Sequence, residues 1–306
     1  LKDFLGGYNR TGQEYLFTCP KCKHHKRKLS VNLDKNVFKC WICEFKGNNI
    51  NRLVRKYADF NLKAKWRELT GQVEIQQFDE IIATLFPEEE EDTPEVVKLP
   101  NEFLSLATDE LPATGIYAYN YLQKRGVTKS DILKWKIGYC FSGEYRNRII
   151  VPSFDEDGDV SYFIARSYNS DSYKYKNPRA SKDVVFNELY IDWNKDLILV
   201  EGVFDALVAG NAVPILGSTL RKGSKLLREI VRNDTPIYIA LDPDAAKKER
   251  RVIKTLLEYD VELYKIDVSG YEDVGSMPRD VFEQRKNKAT FIDNDNYLLL
   301  DMLSAV

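Results

Sequence analysis

From Leu197 to Val200 the chain runs Leu-Ile-Leu-Val, an uninterrupted apolar stretch of the kind a strand needs when both faces of its sheet are covered. Glu201 and Gly202 end it, and Asp205-Ala206-Leu207-Val208 begins a helix. The same alternation returns downstream. Ala212–Leu216 reads as a second strand, ending in Gly217-Ser218-Thr219 and followed by a basic helix with Arg221, Lys222, Lys225 and Arg228. Ile237–Leu241 reads as a third, ending in Asp242-Pro243-Asp244 ahead of a helical stretch over Ala245–Tyr259. Val261–Ile266 reads as a fourth, leading to Tyr271-Glu272-Asp273-Val274-Gly275. Strand, acid and helix, four times over, predict an α/β domain whose parallel sheet gathers carboxylates along one edge, where open sheets of this kind place their ligands.

The N-terminal pattern is different. Leu29–Leu33 alternates, Asp34-Lys35-Asn36 turns and Val37–Cys40 returns, which predicts a β-hairpin. It lies between Cys19-Pro20-Lys21-Cys22 and Cys40-Trp41-Ile42-Cys43, two Cys-x2-Cys knuckles with seventeen residues between them. Four thiolates at this spacing converge tetrahedrally on one ion, the arrangement Zn²⁺ prefers, so the segment reads as a zinc ribbon with one structural, coordinatively closed ion. His24 and His25 adjoin the second ligand but read as surface residues, because four thiols already fill the site. The fifth cysteine, Cys140, stands between Tyr139 and Phe141 and reads as a packed apolar thiol. Paired cysteines with a metal-site spacing fit a reducing compartment.

Composition adds a division that the totals conceal. The 306 residues are 43% hydrophobic and 30% charged, which excludes a fully disordered or collagen-like chain, and no apolar run is long enough for a membrane span. The first ten residues lack the pattern of a secretory signal. Net charge is −2, yet residues 1–65 hold 15 Lys and Arg against 5 Asp and Glu, leaving 30 against 42 for the remainder. A basic module joined to an acidic body points to polyanion contact at one end. Lys21, Lys23, Lys26, Arg27 and Lys28 crowd one knuckle, and Phe17, Phe38 and Trp41 are candidates either for base stacking or for the ribbon's own core. Residues 66–100 carry ten acids and two bases, including Glu88–Asp92 before Thr93-Pro94, which reads as a self-repelling linker at about 86–100.

Carboxylates crowded on a sheet edge repel one another unless divalent cations neutralise them, and hard oxygen ligands suit Mg²⁺ or Mn²⁺. A single Asp at a strand end is ordinarily a helix N-cap; a repeated set is a metal site. Two such ions about 4 Å apart activate a 3′-hydroxyl and stabilise leaving pyrophosphate.

These residues carry a resemblance. Glu201-Gly202-x-x-Asp205 followed by Asp242-x-Asp244 resembles the TOPRIM domain of DnaG-type primases, topoisomerases and some nucleases. Cys19-Pro20-x-Cys22 through Phe38-x-Cys40-x-x-Cys43, then Gly47 and Asn49, is similar to the primase zinc ribbon, with Cys22 where many members have His. Tyr121-Leu122-x-x-Arg125-Gly126-Val127 through Ile137-Gly138-Tyr139, Arg146-Asn147-Arg148-Ile149-Ile150-Val151-Pro152, and Lys174-Tyr175-x-Asn177-Pro178 resemble further primase signatures, in the family's order over about 19–280. The resemblance departs after Asp244, where Ala245-Ala246-Lys247-Lys248 replaces the usual small residue and glycine.

The resemblance implies a zinc-ribbon DNA-binding domain at 1–65, an acidic linker region at 66–105, the N-terminal part of an RNA-polymerase core at 106–195, a TOPRIM domain at 196–280 and a tail at 281–306. It implies Glu201, Asp242 and Asp244 as catalytic, with Asp205 and Asp273 completing the Mg²⁺ or Mn²⁺ ligands. Arg146, Arg148, Lys174, Tyr175 and Asn177 then hold template or nucleotide, and Lys26, Arg27 and Lys28 touch DNA. The implied activity is synthesis of short RNA primers on single-stranded DNA from ribonucleoside triphosphates, in the cytoplasm of a bacterial or phage-infected cell, with a replicative helicase as a candidate partner. With little sequence after residue 280, no helicase domain is expected, as would suit a phage or mobile element, and the tail Tyr297–Leu303 is expected to pack on the core, with docking on a helicase as the alternative. A TOPRIM nuclease is the alternative within the same chemistry, and a non-catalytic DNA-binding protein the alternative outside it.

Overall fold

The computed structural model describes residues 1–43, 45–47, 49–70, 97–169, 173–216, 220, 221, 223–293 and 297. The acidic run Glu88–Asp92, residues 217–219 and 222, and the residues after Tyr297 lie outside the described residues. The chain divides into two compact units, Leu1–Leu85 and Phe86–Val306.

In the first unit a short helix α1 (Lys2–Leu5) precedes β1 (Asn9–Thr11), β2 (Glu14–Phe17), β3 (Leu29–Asn32), β4 (Val37–Cys40) and β5 (Lys46–Gly47), then α2 (Ile50–Tyr57) and α3 (Phe60–Thr70). The strands form an antiparallel meander in chain order. The predicted hairpin is β3–β4, with Asn36 in the left-handed conformation that asparagine tolerates. Strand β3 alternates in sequence but is buried at every position. Its polar residues are not solvated; Ser30 and Asn32 donate side-chain hydrogen bonds to Glu14 on β2, the latter at 2.8 Å. These two donors hold the Glu14 carboxyl below its ordinary range. Phe17 and Phe38 are buried in the ribbon core, which corrects the stacking alternative for them. Trp41 is exposed, with the Lys39 ammonium 4.6 Å from its ring centroid.

The second unit contains two sheets. β6 (Leu104–Ser105), β7 (Gly138–Cys140), β8 (Arg148–Phe154) and β9 (Val160–Ser167) form an antiparallel sheet, with α4 (Ile116–Lys124) and α5 (Lys129–Lys134) inserted between β6 and β7. The other sheet has the order β11-β10-β12-β13-β14, where β10 is Leu197–Val200, β11 Ala212–Pro214, β12 Ile237–Ala240, β13 Leu263–Lys265 and β14 Thr290–Ile292. The four expected strands are parallel, and β14, which the reading of the sequence did not include, adds an antiparallel edge. Helices α6 (Val203–Ala209), α7 (Lys225–Asn233), α8 (Ala246–Glu258) and α9 (Arg279–Asn287) complete the unit. The basic helix therefore starts at Lys225 rather than Arg221, where Ser224 caps it through its side chain.

Burial explains the apolar run Leu197–Val200. Ile198 and Val200 pack into a cluster with Leu122, Ile164 and Val203, while Leu197 and Leu199 pack with Leu227, Ile230 and Leu256. Strand β10 lies at the centre of the parallel array with helices over both faces, so neither face can carry a polar residue. Cys140 is buried against Ile150, Phe163 and Ala165, and burial pushes its thiol up to about 12, as expected of a packing residue. Among the described residues, no helix is long and apolar enough to cross a membrane. Leu199→Ala, which empties a fully buried position, is expected to cost about 2–5 kcal/mol of core stability in urea unfolding; a change below about 1 kcal/mol would place β10 at a less packed position.

Candidate functional site

The ribbon brings Cys19, Cys22, Cys40 and Cys43 together, all four sulfurs lying within 4.8 Å of one another. Cys19 Sγ is 3.8 Å from Cys43 Sγ, and Cys22 Sγ is 3.9 Å from Cys40 Sγ. Metal–sulfur bonds of about 2.3 Å in a tetrahedron place the sulfurs about 3.8 Å apart, so the four thiols fit Zn²⁺. Burial pushes the Cys19 thiol up to about 12, which leaves it neutral unless a cation compensates. Lys23 closes the first knuckle in the left-handed region, its N–H bonded to Cys19 O at 2.9 Å. His24 stacks on His25 and its Nδ1 accepts from the Lys26 N–H, and neither histidine belongs to the sulfur cluster. Removing zinc by chelation is expected to abolish hydrogen-exchange protection at Val31 and Phe38 while Leu199 and Ile239 stay protected; a protected Val31 in the metal-free chain would contradict a structural ion.

The carboxylates occupy one end of the parallel sheet. Register pairs Val200 with Ala240, so Glu201 and the Leu241-Asp242 segment leave neighbouring strands side by side. No acid follows β11, whose sequence continues Ile215-Leu216-Gly217, so the cluster draws on three strand ends rather than four. Asp205 is buried on the first turn of α6, its Oδ2 accepting the Gly202 N–H at 2.8 Å and its Oδ1 the Gly275 N–H at 2.7 Å. A Cβ on either glycine would stand 3.1 Å from the carboxylate and crowd it. Asp273 caps the turn Val274–Ser276 by accepting the Ser276 N–H at 2.7 Å.

Asp242 is different. It stands where an N-cap belongs, ahead of the turn Pro243–Ala245, yet its side chain caps nothing. Its Oδ1 is buried with no hydrogen-bond partner, and so is Oε2 of Glu201. Burial, then the charges of Asp205, Glu201, Asp273 and Asp244, push the Asp242 carboxyl up to about 7. Burial, offset by its two backbone donors, pushes Asp205 up to about 6, with Asp273 and Glu201 adding to the rise. Two orphaned anionic oxygens in one acidic pocket are a donor set that hard dications fit. Asp244 is exposed beside them. A cation enters the pocket: Lys248 Nζ lies 3.0 Å from Glu201 Oε1.

The predicted basic residues divide. Arg148 donates to the carbonyls of Tyr173 (3.0 Å), Lys174 (3.3 Å) and Ala165 (3.4 Å), so it anchors the Lys174 segment from behind. Asn177 Oδ1 accepts the Ala165 N–H at 3.4 Å, which fixes the same segment to β9. Arg146, Lys174 and Tyr175 are exposed. Lys26, Arg27 and Lys28 are exposed on the ribbon, with Arg27 donating to Asn9 Oδ1 at 2.7 Å.

Sequence reasoning did not single out Arg166. It is buried on β9, its guanidinium 4.8 Å from the Tyr175 ring centroid and its Nε 3.0 Å from the Tyr121 hydroxyl. Arg125 Nε reaches that same hydroxyl at 3.0 Å, and its guanidinium lies 4.9 Å from the ring of Phe204, the residue before Asp205. Two guanidiniums held by aromatic groups thus connect the Lys174-Tyr175 segment to the helix bearing Asp205. The inward register of Arg166 and the i, i+4 spacing of Tyr121 and Arg125 were the available signals.

This architecture defines a class: a four-cysteine zinc ribbon and an α/β core with an acidic strand-end pocket of the TOPRIM kind. Residues 7–83 match the model of the CHC2 zinc finger, the DnaG-type zinc ribbon. The chain is similar to the DNA primases of Mycoplasma genitalium (23% identical, covering 77% of this chain and 48% of that protein) and Staphylococcus epidermidis (22%, covering 95% and 57%). It spans about half the length of these curated relatives. Its fold matches the zinc-binding and RNA polymerase domains of the Aquifex aeolicus primase, with a TM-score of 0.50, 20% identity and coverage of 94% of this chain and 81% of that one. A DnaG primase catalytic domain bound to single-stranded DNA matches at a TM-score of 0.53, 18% identity and coverage of 76% and 83%. The fold is that of DnaG-type primases, and the resemblance stated from the sequence holds for both units.

Linkage gives the pocket a pH signature. A carboxyl whose folded value is raised favours the folded state while protonated, below the ordinary value of about 3.9, and that contribution disappears as pH rises through the folded value. Metal-free core is therefore expected to lose melting temperature between about pH 4 and pH 7, through the raised values of Asp205 and Asp242. Asp242→Asn should flatten this loss and raise the melting temperature at about pH 7.5 by about 2–4 °C, the response of a domain this size to a single kcal/mol; a lower melting temperature for the variant would contradict the repulsion.

Proposed function

We propose that the chain is a DNA primase that joins ribonucleoside triphosphates into short RNA on a single-stranded DNA template. The observation that carries this reading is the pair of buried, unpartnered oxygens of Glu201 and Asp242 on neighbouring strand ends. Glu201, Asp242 and Asp244 would hold two Mg²⁺ or Mn²⁺ ions, with Asp205 and Asp273 contributing charge to the pocket. When bound, the dications supply Lewis-acid stabilisation of the charge that develops on the transferring phosphoryl group and the leaving pyrophosphate.

The chain's own residues prepare that site. Asp205 fixes the mouth of the pocket by receiving the two backbone N–H groups, which keeps Glu201 and Asp273 in a constant relation to Asp242. Arg146 and Lys174 present exposed positive charge for phosphates, while Arg148 and Asn177 hold the segment that carries Lys174. Tyr175 offers a half-exposed ring face stiffened by Arg166 from beneath, suited to an unpaired base. The ribbon's Lys26, Arg27 and Lys28, with exposed Trp41, would engage template and bias the start site. We place the reaction in the cytoplasm, with a replicative helicase as the candidate partner.

Incubating the protein with single-stranded DNA, labelled ribonucleotides and Mg²⁺ or Mn²⁺ is expected to yield short RNA that is lost in Asp242→Ala. Cys40→Ala should retain synthesis with weaker start-site choice. Cleavage of the DNA without ribonucleotide incorporation would replace this reading with a TOPRIM nuclease.

A further inference from the structure

Lys248 lies in the first turn of α8. Its ammonium is 3.0 Å from Glu201 Oε1, and the side chain is only 16% exposed. Glu201 itself is 31% exposed, with Oε1 engaged by Lys248 and Oε2 buried without a partner. Asp242, one strand away, has no ion-pair partner among the described residues and retains its own orphaned oxygen. The acidic pocket is therefore asymmetric: one strand-end carboxylate carries a counter-charge from its own chain, and the other does not.

We propose that Lys248 is an internal competitor for the dication site at Glu201. The inference rests on the metal reading of these carboxylates. An ammonium and a divalent cation cannot both occupy the Glu201 carboxylate without repelling each other at close range. The first dication therefore engages the Asp242 and Asp244 side of the pocket, and Glu201 becomes a ligand only when the Lys248 side chain swings away. The four-carbon stem of lysine permits that movement without disturbing α8. Lys248 is thus a positioning residue: it keeps Glu201 drawn toward the start of α8 and sets how tightly the second ion is held.

The test is Mn²⁺ binding to the zinc-loaded full chain, followed by electron paramagnetic resonance of free Mn²⁺. Lys248→Met is expected to tighten Mn²⁺ binding roughly tenfold, the low end of the effect of an opposite charge within hydrogen-bond range, because the pair is partly solvated. In the wild-type background Glu201→Gln should leave binding of the first, Asp242-side Mn²⁺ within about twofold, since Glu201 is committed to Lys248, and should weaken the second; in the Lys248→Met background the same change should remove the gain. Lys248→Gln, which keeps length and polarity, should reproduce the tightening if the methionine variant folds poorly. Mn²⁺ binding that is unchanged or weaker in both variants overturns the inference alone. Absence of Mn²⁺ binding by wild type and variants together overturns the metal reading beneath it.

Discussion

Burying like charges is the constraint around which this molecule is organised. A carboxylate removed from water beside three or four others is costly, and the core accepts that cost where β10 and β12 end together. Almost everything nearby can be read as containment of that charge. Two glycine N–H groups neutralise part of Asp205, a short turn takes up Asp273, and Lys248 reaches back to Glu201. Asp242 receives none of these, and so the least compensated position is also the one from which a ligand's contribution is greatest.

The parallel core was legible because its strands are buried on both faces. Leu197–Val200 and Ile237–Ala240 are apolar at every position or nearly so, and helical periodicity cannot imitate so short and complete a run between an acid and a turn. The antiparallel edge β14 was not legible. Thr290-Phe291-Ile292 is three residues long and half-covered, too short a run to stand out after the helix that precedes it. The ribbon showed the opposite failure: β3 alternates in sequence, which predicts one wet face, whereas Glu14 on the adjoining strand satisfies Ser30 and Asn32 and lets both faces close. A pattern of single residues carries no information about a hydrogen-bond partner on a distant stretch of chain.

The site divides in the same manner. The four cysteines and the strand-end acids were readable because spacing and position alone define them. Arg148 and Asn177 were readable as a matched motif, but their contacts make them supports for the segment bearing Lys174 rather than groups facing solvent. Arg166 was missed because a cation near the end of a strand is ordinarily read as solvent-facing, whereas the ring of Tyr175 and the hydroxyl of Tyr121 receive it in a buried position.

The bond from the Gly275 N–H to Asp205 spans seventy positions of chain. The rim of the acidic pocket is consequently a long-range feature of the core, closed only after β11 and β12 have been laid against β10 and β13 against β12. During synthesis on the ribosome the apolar sheet can collapse before Gly275 emerges, but the carboxylates cannot yet be held in their working relation. A nascent or truncated chain would thus possess the sheet without the pocket, and order at this rim is a late and sensitive reporter of whether the core has finished folding.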